Sequence, residues 1–174
     1  MQDEDATKDD GFRLRRLEYN RYALEKVYQR LQNAVDSNHE QEIYTALGET
    51  LLWIMTTDEW HLSHDPIYKE RRDLDEKGQL LLGLKHAYNS MKHNMYFIKI
   101  HNKMGGAKFP ISFPIKIPVI TVHWMIADEL MLGNKGKLGE NYENYKRYIE
   151  EKEVLCTFEL AMEFLNEEYI KIVK

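Results

Sequence analysis

A single cysteine, Cys156, stands in a chain of 174 residues, so no disulfide can close within it and no Cys-x-x-Cys metal pair exists. Long apolar runs are missing too, and none approaches the length of a membrane span. The opening MQDEDATKDD lacks the basic, apolar and cleavage regions of a secretory signal. There is no GxxxxGK[ST] phosphate loop and no serine-elbow motif. These absences argue against a disulfide scaffold, a membrane-spanning protein, a P-loop enzyme and a serine hydrolase. A cytoplasmic location is the expectation.

What is present suits one domain with a true core: 43% of residues are hydrophobic and 30% charged. The net charge of −5 is unevenly placed. Residues 1–10 hold Asp3, Glu4, Asp5, Asp9 and Asp10 against Lys8, which leaves 24 acids and 23 bases in the remainder. Residues 1–10 therefore read as a disordered acidic leader, and 11–174 as a single helical domain. The next stretch, GFRLRRLEYNRYALEKVYQR, is basic, with Arg13, Arg15, Arg16, Arg21, Lys26 and Arg30 against Glu18 and Glu25. It reads as a solvated helix face, and contact with phosphates is the alternative.

Apolar periodicity sets the elements. Leu17, Leu24, Tyr28, Leu31 and Val35 form the stripe of a first amphipathic helix starting near Phe12. Ser37 or Asn38 is placed to cap a second helix carrying Ile43, Ala46, Leu47, Leu51, Ile54 and Met55. That helix should stop near HLSHDP, because the residue before Pro66 disfavours helical geometry. After a polar stretch, YKERRDLDEKGQ, a third helix shows Leu81, Leu84, Tyr88, Met91 and Met95. MYFIKIH and FPISFPIKIPVITV flank a turn and predict a β-hairpin over about 96–119. Pro110, Pro114 and Pro118 would delete donors along one edge of its second strand. Val154, Phe158, Ala161, Met162, Leu165 and Tyr169 mark a last helix. The fold class predicted is all-α, a four-helix up-down bundle with an inserted hairpin.

The stretch LKHAYNSMKH carries the densest candidate chemistry. On a helix, His86, Asn89 and His93 share the side opposite Leu84, Tyr88 and Met91, with Lys85 and Lys92 between the two groups. Surface helix positions usually hold better helix formers than His and Asn, so a second use is worth testing. Imidazole works as acid or base near neutrality, and Asn can fix a tautomer or a phosphate. An interhelical or dimer-interface polar cluster is the alternative.

The same stretch resembles the LRxARNxxxH segment of the HEPN superfamily, all-α domains of prokaryotic toxins and RNA-targeting defence systems. ALGETLLWIMTTDEW is similar to the preceding helix of some members, and YKRYIEEKEVLCTFELAMEFL resembles their closing helix. The resemblance implies a homodimer whose facing helices build one cleft, RNA or a nucleotide as ligand, and a protein partner or antitoxin. Catalytic members are metal-independent endoribonucleases. Asn89 and His93 fall on the family's catalytic polar residue and histidine, whereas Tyr88 falls on its arginine. Tyrosine cannot supply a guanidinium's fixed cationic fork. A binding domain with weak or no catalysis is therefore the leading expectation. Lys85, His86, Tyr88 and Lys92 are its RNA- or phosphate-binding residues, and no metal or cofactor is expected. The alternatives are an active endoribonuclease using His93 and a protein-interaction module without a nucleic-acid role.

Other motifs weigh less. Asp58, His61 and His64 are spaced to share a helix face and could hold a metal if His39, His101 or His123 completed the set, but a frayed polar helix end is the plainer reading. Gly133, Gly136 and Gly139 read as a flexible connection. Cys156 reads as core, and Trp53, Trp60 and Trp124 as core or interface.

Overall fold

A computed structural model describes residues 2–93, 96–102, 120–130 and 139–174, with residues 2–10 and 102 as backbone alone. The chain is mostly helical, with a small two-stranded antiparallel sheet. The order is α1 (Gln2–Asp36), α2 (Glu40–His64), α3 (Tyr68–Leu74), α4 (Glu76–His93), β1 (Ile98–Asn102), β2 (Ile120–Trp124), a 3₁₀ turn (Ala127–Leu130), α5 (Glu140–Tyr148) and α6 (Val154–Val173). Among the described residues no helix is long and apolar enough to cross a membrane.

The periodic stripes form the core. Leu17, Leu24, Tyr28, Leu31 and Val35 of α1 are all buried, as are the six predicted positions of α2. A tight turn folds α2 back along α1. Asn38 takes a positive φ of 53° there, and the cap differs from expectation. His39, rather than Ser37 or Asn38, caps α2, its Nδ1 accepting the Glu42 N–H at 3.2 Å. Ser37 instead turns its hydroxyl back onto the Asn33 carbonyl. α2 ends at His64, with Asp65 extended ahead of Pro66 as predicted. α6 runs alongside α1, where the Tyr28 hydroxyl donates to Glu159 at 2.8 Å and Arg21 donates to Asn166 at 3.1 Å. α4 lies against α2, α3, α5 and α6.

Several expectations are corrected. α1 begins at Gln2, not near Phe12, so the backbone expected as a disordered leader is drawn into the helix. A short helix, α3, lies in the polar stretch between the second and third predicted helices, and the segment likened to one closing helix is divided into α5 and α6. The described paired strands are Ile98–Asn102 and Ile120–Trp124, and residues 103–119 of the predicted hairpin lie outside the described residues. The alternating Ile120, Val122 and Trp124 of the second strand face the core. The proline-spaced segment, Met95, Gly133 and Gly136 lie outside the described residues. Cys156, read as core, is exposed, because α6 turns Val154, Phe158 and Ala161 inward.

The sheet is fastened at both ends of the core. Phe97, just before β1, meets Tyr44 of α2 edge-on at 5.5 Å, and Trp124 meets Phe158 of α6 at 5.6 Å. The Trp124 indole N–H donates to Thr157 at 2.8 Å. The linker between α5 and α6 runs beside β2: Glu151 N–H donates to the Trp124 carbonyl, and Trp124 N–H to that of Lys152. Glu151 adopts φ 60° to make this turn.

Candidate functional site

The predicted polar stripe of α4 is divided by its neighbours. α5 covers the middle of α4 closely, because Gly83 lets the Asn144 carbonyl and the Ile149 side chain approach where a Cβ would meet them at about 3 Å. His86 lies under that cover. Its ring stands edge-on to Tyr142 at 5.5 Å and tilted against Tyr145 at 5.2 Å. Burial lowers its pKa, and its Nε2 has no hydrogen-bond partner among the described residues. A neutral, half-covered imidazole packed on tyrosines does not share an open cleft with Asn89 and His93.

Beyond α5 the last turns of α4 emerge. Asn89, Lys92 and His93 are exposed, Tyr88 is half-buried against the core, and Ser90 is buried. The Lys92 ammonium sits 4.1 Å from the centre of the Tyr88 ring, a cation–π contact that fixes the lysine beside the tyrosine. Among the described residues no acidic side chain forms an ion pair with Lys92 or His93. Lys85, half-buried, points its charge elsewhere and acts on Asp58 of α2. Asn89, Lys92 and His93, with Tyr88 beneath Lys92, thus form one accessible polar patch. His86 and Lys85 belong to the packed flanks.

A second constellation lies where α2, α3 and α6 meet. Asp58 is buried and accepts from the Tyr68 hydroxyl at 2.7 Å and from Arg72 at 3.1 Å. Burial pushes its carboxyl up, while Arg72 and Tyr68 pull it back. Arg71 donates to both Asp65 and Glu168, and Lys171 donates to Glu168 at 2.6 Å. Burial alone would raise Glu168, but the hydrogen bonds from Arg71 and Lys171 outweigh it and hold the carboxyl below its usual range. His61 lies between these groups, fully buried, its ring stacked on Tyr68 at 4.9 Å and edge-on to Trp60 at 5.2 Å. Neither ring nitrogen has a hydrogen-bond partner among the described residues, and burial brings its pKa down to about 4.

This arrangement separates the trio considered for a metal. Asp58 is engaged by Arg72, His61 is sealed against Tyr68, and His64 stacks on Trp60 at 4.4 Å. Among the described residues no group of three or more His, Cys, Asp or Glu is placed to hold a metal ion. The other histidines are used elsewhere: His39 caps α2, while His101 and His123 meet at 4.9 Å on the sheet. Asp58, His61, Tyr68, Arg72 and Glu168 of the second constellation are buried, Asp65, Arg71 and Lys171 form its partly exposed rim, and together they lock α3 and α6 onto α2. Tyr68, Arg71, Arg72 and Glu168 were missed in the sequence. Only Glu168 left a signal, an acid three residues beyond Leu165 on the apolar stripe of α6. Comparison of the chain with protein-family models, with curated proteins and with solved structures finds no match.

Proposed function

We propose that the chain is a HEPN-like helical module of an RNA-directed defence or toxin system that binds RNA at the open end of α4 and cleaves it weakly or not at all. The observation that carries this reading is the exposure of Asn89, Lys92 and His93 together on the last turns of α4, with Lys92 held over Tyr88. Phosphate binding needs accessible cations and donors, and this patch offers an ammonium, an amide and an imidazole. Cleavage by the ribose 2′-OH needs more. An acid or base must act while a fixed cation stabilises charge growing on the phosphate. His93 is available for the first role. Lys92 is a point charge resting on an aromatic face, without the bidentate fork of an arginine. The patch is therefore better suited to holding a phosphate than to stabilising its transition state. Two copies meeting through this end of α4 would make the cleft that the family resemblance implies.

The test is titration of the intact chain with labelled single-stranded RNA across a salt series. Affinity should fall as salt rises, and Lys92→Ala should weaken binding and reduce the slope of log affinity against log salt by about 1. RNA should stay largely intact during incubation in EDTA. Absence of binding at low salt would sink the reading. Strong cleavage in EDTA that His93→Ala abolishes would replace it with an active metal-independent endoribonuclease.

A further inference from the structure

The outer face of α1 is not used by the bundle. Its buried side is made by Leu17, Leu24, Tyr28 and Leu31, and the opposite side carries Arg15, Tyr19, Tyr22, Lys26, Gln29 and Asn33 at spacings of four, three, four, three and four. That is one straight solvent-facing stripe along about 27 Å of helix. Phe12 and Arg16 flank its start. The aromatics are well exposed, Phe12 at 68%, Tyr19 at 61% and Tyr22 at 63%. No acid lies on the line itself, and Glu18 and Glu25 are exposed on the row beside it. Among the described residues Arg15, Arg16 and Lys26 form no ion pair, whereas Arg30, off the stripe, is held by Glu42 and Glu49 of α2. Lys26 lies 5.5 Å from the Tyr22 ring. The stripe then runs into a cleft of about 320 Å³ at the α1–α2 turn, lined by Lys26, Gln29, Asn33 and His39 and by the ion-paired Arg30 and Glu42 among others.

We infer that this stripe is a binding surface for single-stranded nucleic acid, recognised by base stacking on Phe12, Tyr19 and Tyr22 and by phosphate contacts to Arg15, Arg16 and Lys26. Tyrosine at outward positions gives up helix propensity and makes no contact that the bundle needs. Exposed ring faces alternating with unpaired cations suit a ligand with flat rings and a charged backbone. A lipid surface fits worse, since Gln29 and Asn33 continue the same line and would enter the apolar layer. A coiled-coil partner fits worse as well, because four of the six seam positions are polar or charged. The acids of residues 1–10 precede the stripe, so the strand would run from Arg15 toward the α1–α2 turn. Stacking and phosphate contact read no bases, so RNA and DNA single strands should both bind. The inference does not rest on the patch at the end of α4.

The experiment is fluorescence anisotropy of the intact chain with labelled oligouridine and oligothymidine over a salt series. Tyr19→Ala with Tyr22→Ala should weaken both ligands about tenfold or more while leaving the salt slope unchanged. Arg15→Gln with Arg16→Gln should weaken binding and lower the slope by about 2. All four residues are exposed, so circular dichroism should show the wild-type helix content. Lys92→Ala should leave the effect of the tyrosine substitutions intact, which separates this surface from that of α4. Wild-type affinity in the variant carrying all four substitutions would overturn the inference. So would binding to phosphatidylserine vesicles together with no binding to either oligonucleotide.

Discussion

His61 shows how one side chain can set the acid sensitivity of a fold. Its imidazole is sealed between Tyr68 and Trp60, and burial brings its pKa to about 4, against an unfolded value near 6.5. Glu168 and Asp65 favour its protonation and Arg71 and His64 oppose it, yet burial prevails. Between those two values the unfolded chain binds more protons than the folded one, so stability rises with pH across that window. His61 should therefore cost about 3 kcal/mol of stability as pH falls from about 6.5 to 4, and nothing further below. His86, lowered by burial as well, acts with the same sign. The lowered carboxyls Glu168 and Asp65 act later, losing their contribution only as pH falls through their depressed folded values. Denaturant melts of the wild type and His61→Phe at pH 7 and pH 4.5 should show a much smaller loss in the variant. Equal losses would mean that His61 is not held neutral.

At the scale of elements, two glycines decide how α4 meets its neighbours. A Cβ on Gly78 would lie 2.3 Å from the Arg72 carbonyl oxygen, a backbone atom that cannot move without shifting α3. One on Gly83 would meet the Ile149 side chain at 2.8 Å and the Asn144 carbonyl at 3.0 Å, and part of that can yield. Alanine gains about 1 kcal/mol of helix propensity, while overpacking costs about 1–3. Gly78→Ala should therefore destabilise the chain, and more than Gly83→Ala does, as measured by urea denaturation. A neutral or stabilising Gly78→Ala would contradict the close approach. The same elements show what was legible in the sequence. The stripes of α1, α2 and α6 were readable because burial repeats every three to four residues in long helices. α3 was not, since its buried members, Tyr68 and Arg72, are polar and both turn to Asp58 of another helix, which no local pattern announces. The break between α5 and α6 carries no proline or glycine, and the backbone pairing of Glu151 and Lys152 with Trp124 makes it. His86 could be placed on the correct helix face, but nothing local announced that α5 would cover it.

For the whole molecule the question is how its charge is distributed. Beyond residues 1–10 acids and bases nearly balance, and among the described residues α1 holds the largest group of exposed bases, Arg13, Arg15, Arg16, Lys26 and Arg30, while Lys92 is the exposed base of α4. The family resemblance would join two copies through α4, which places Lys92 and His93 of one copy near those of the other. The exposed residues of that end are polar, so little apolar surface is gained there to offset repulsion between two ammonium groups. A phosphate chain lying between the copies would neutralise both, and pairing should follow RNA binding rather than precede it. Light scattering after size exclusion at low salt should then find mostly single chains without RNA and paired chains with it. Lys92→Ala should raise pairing in the absence of RNA, because it removes the repulsion, and should reduce the gain on adding RNA. A stable pair that forms without RNA, unaffected by Lys92→Ala, would show that the copies meet through another face and that the α4 patch is not their shared cleft.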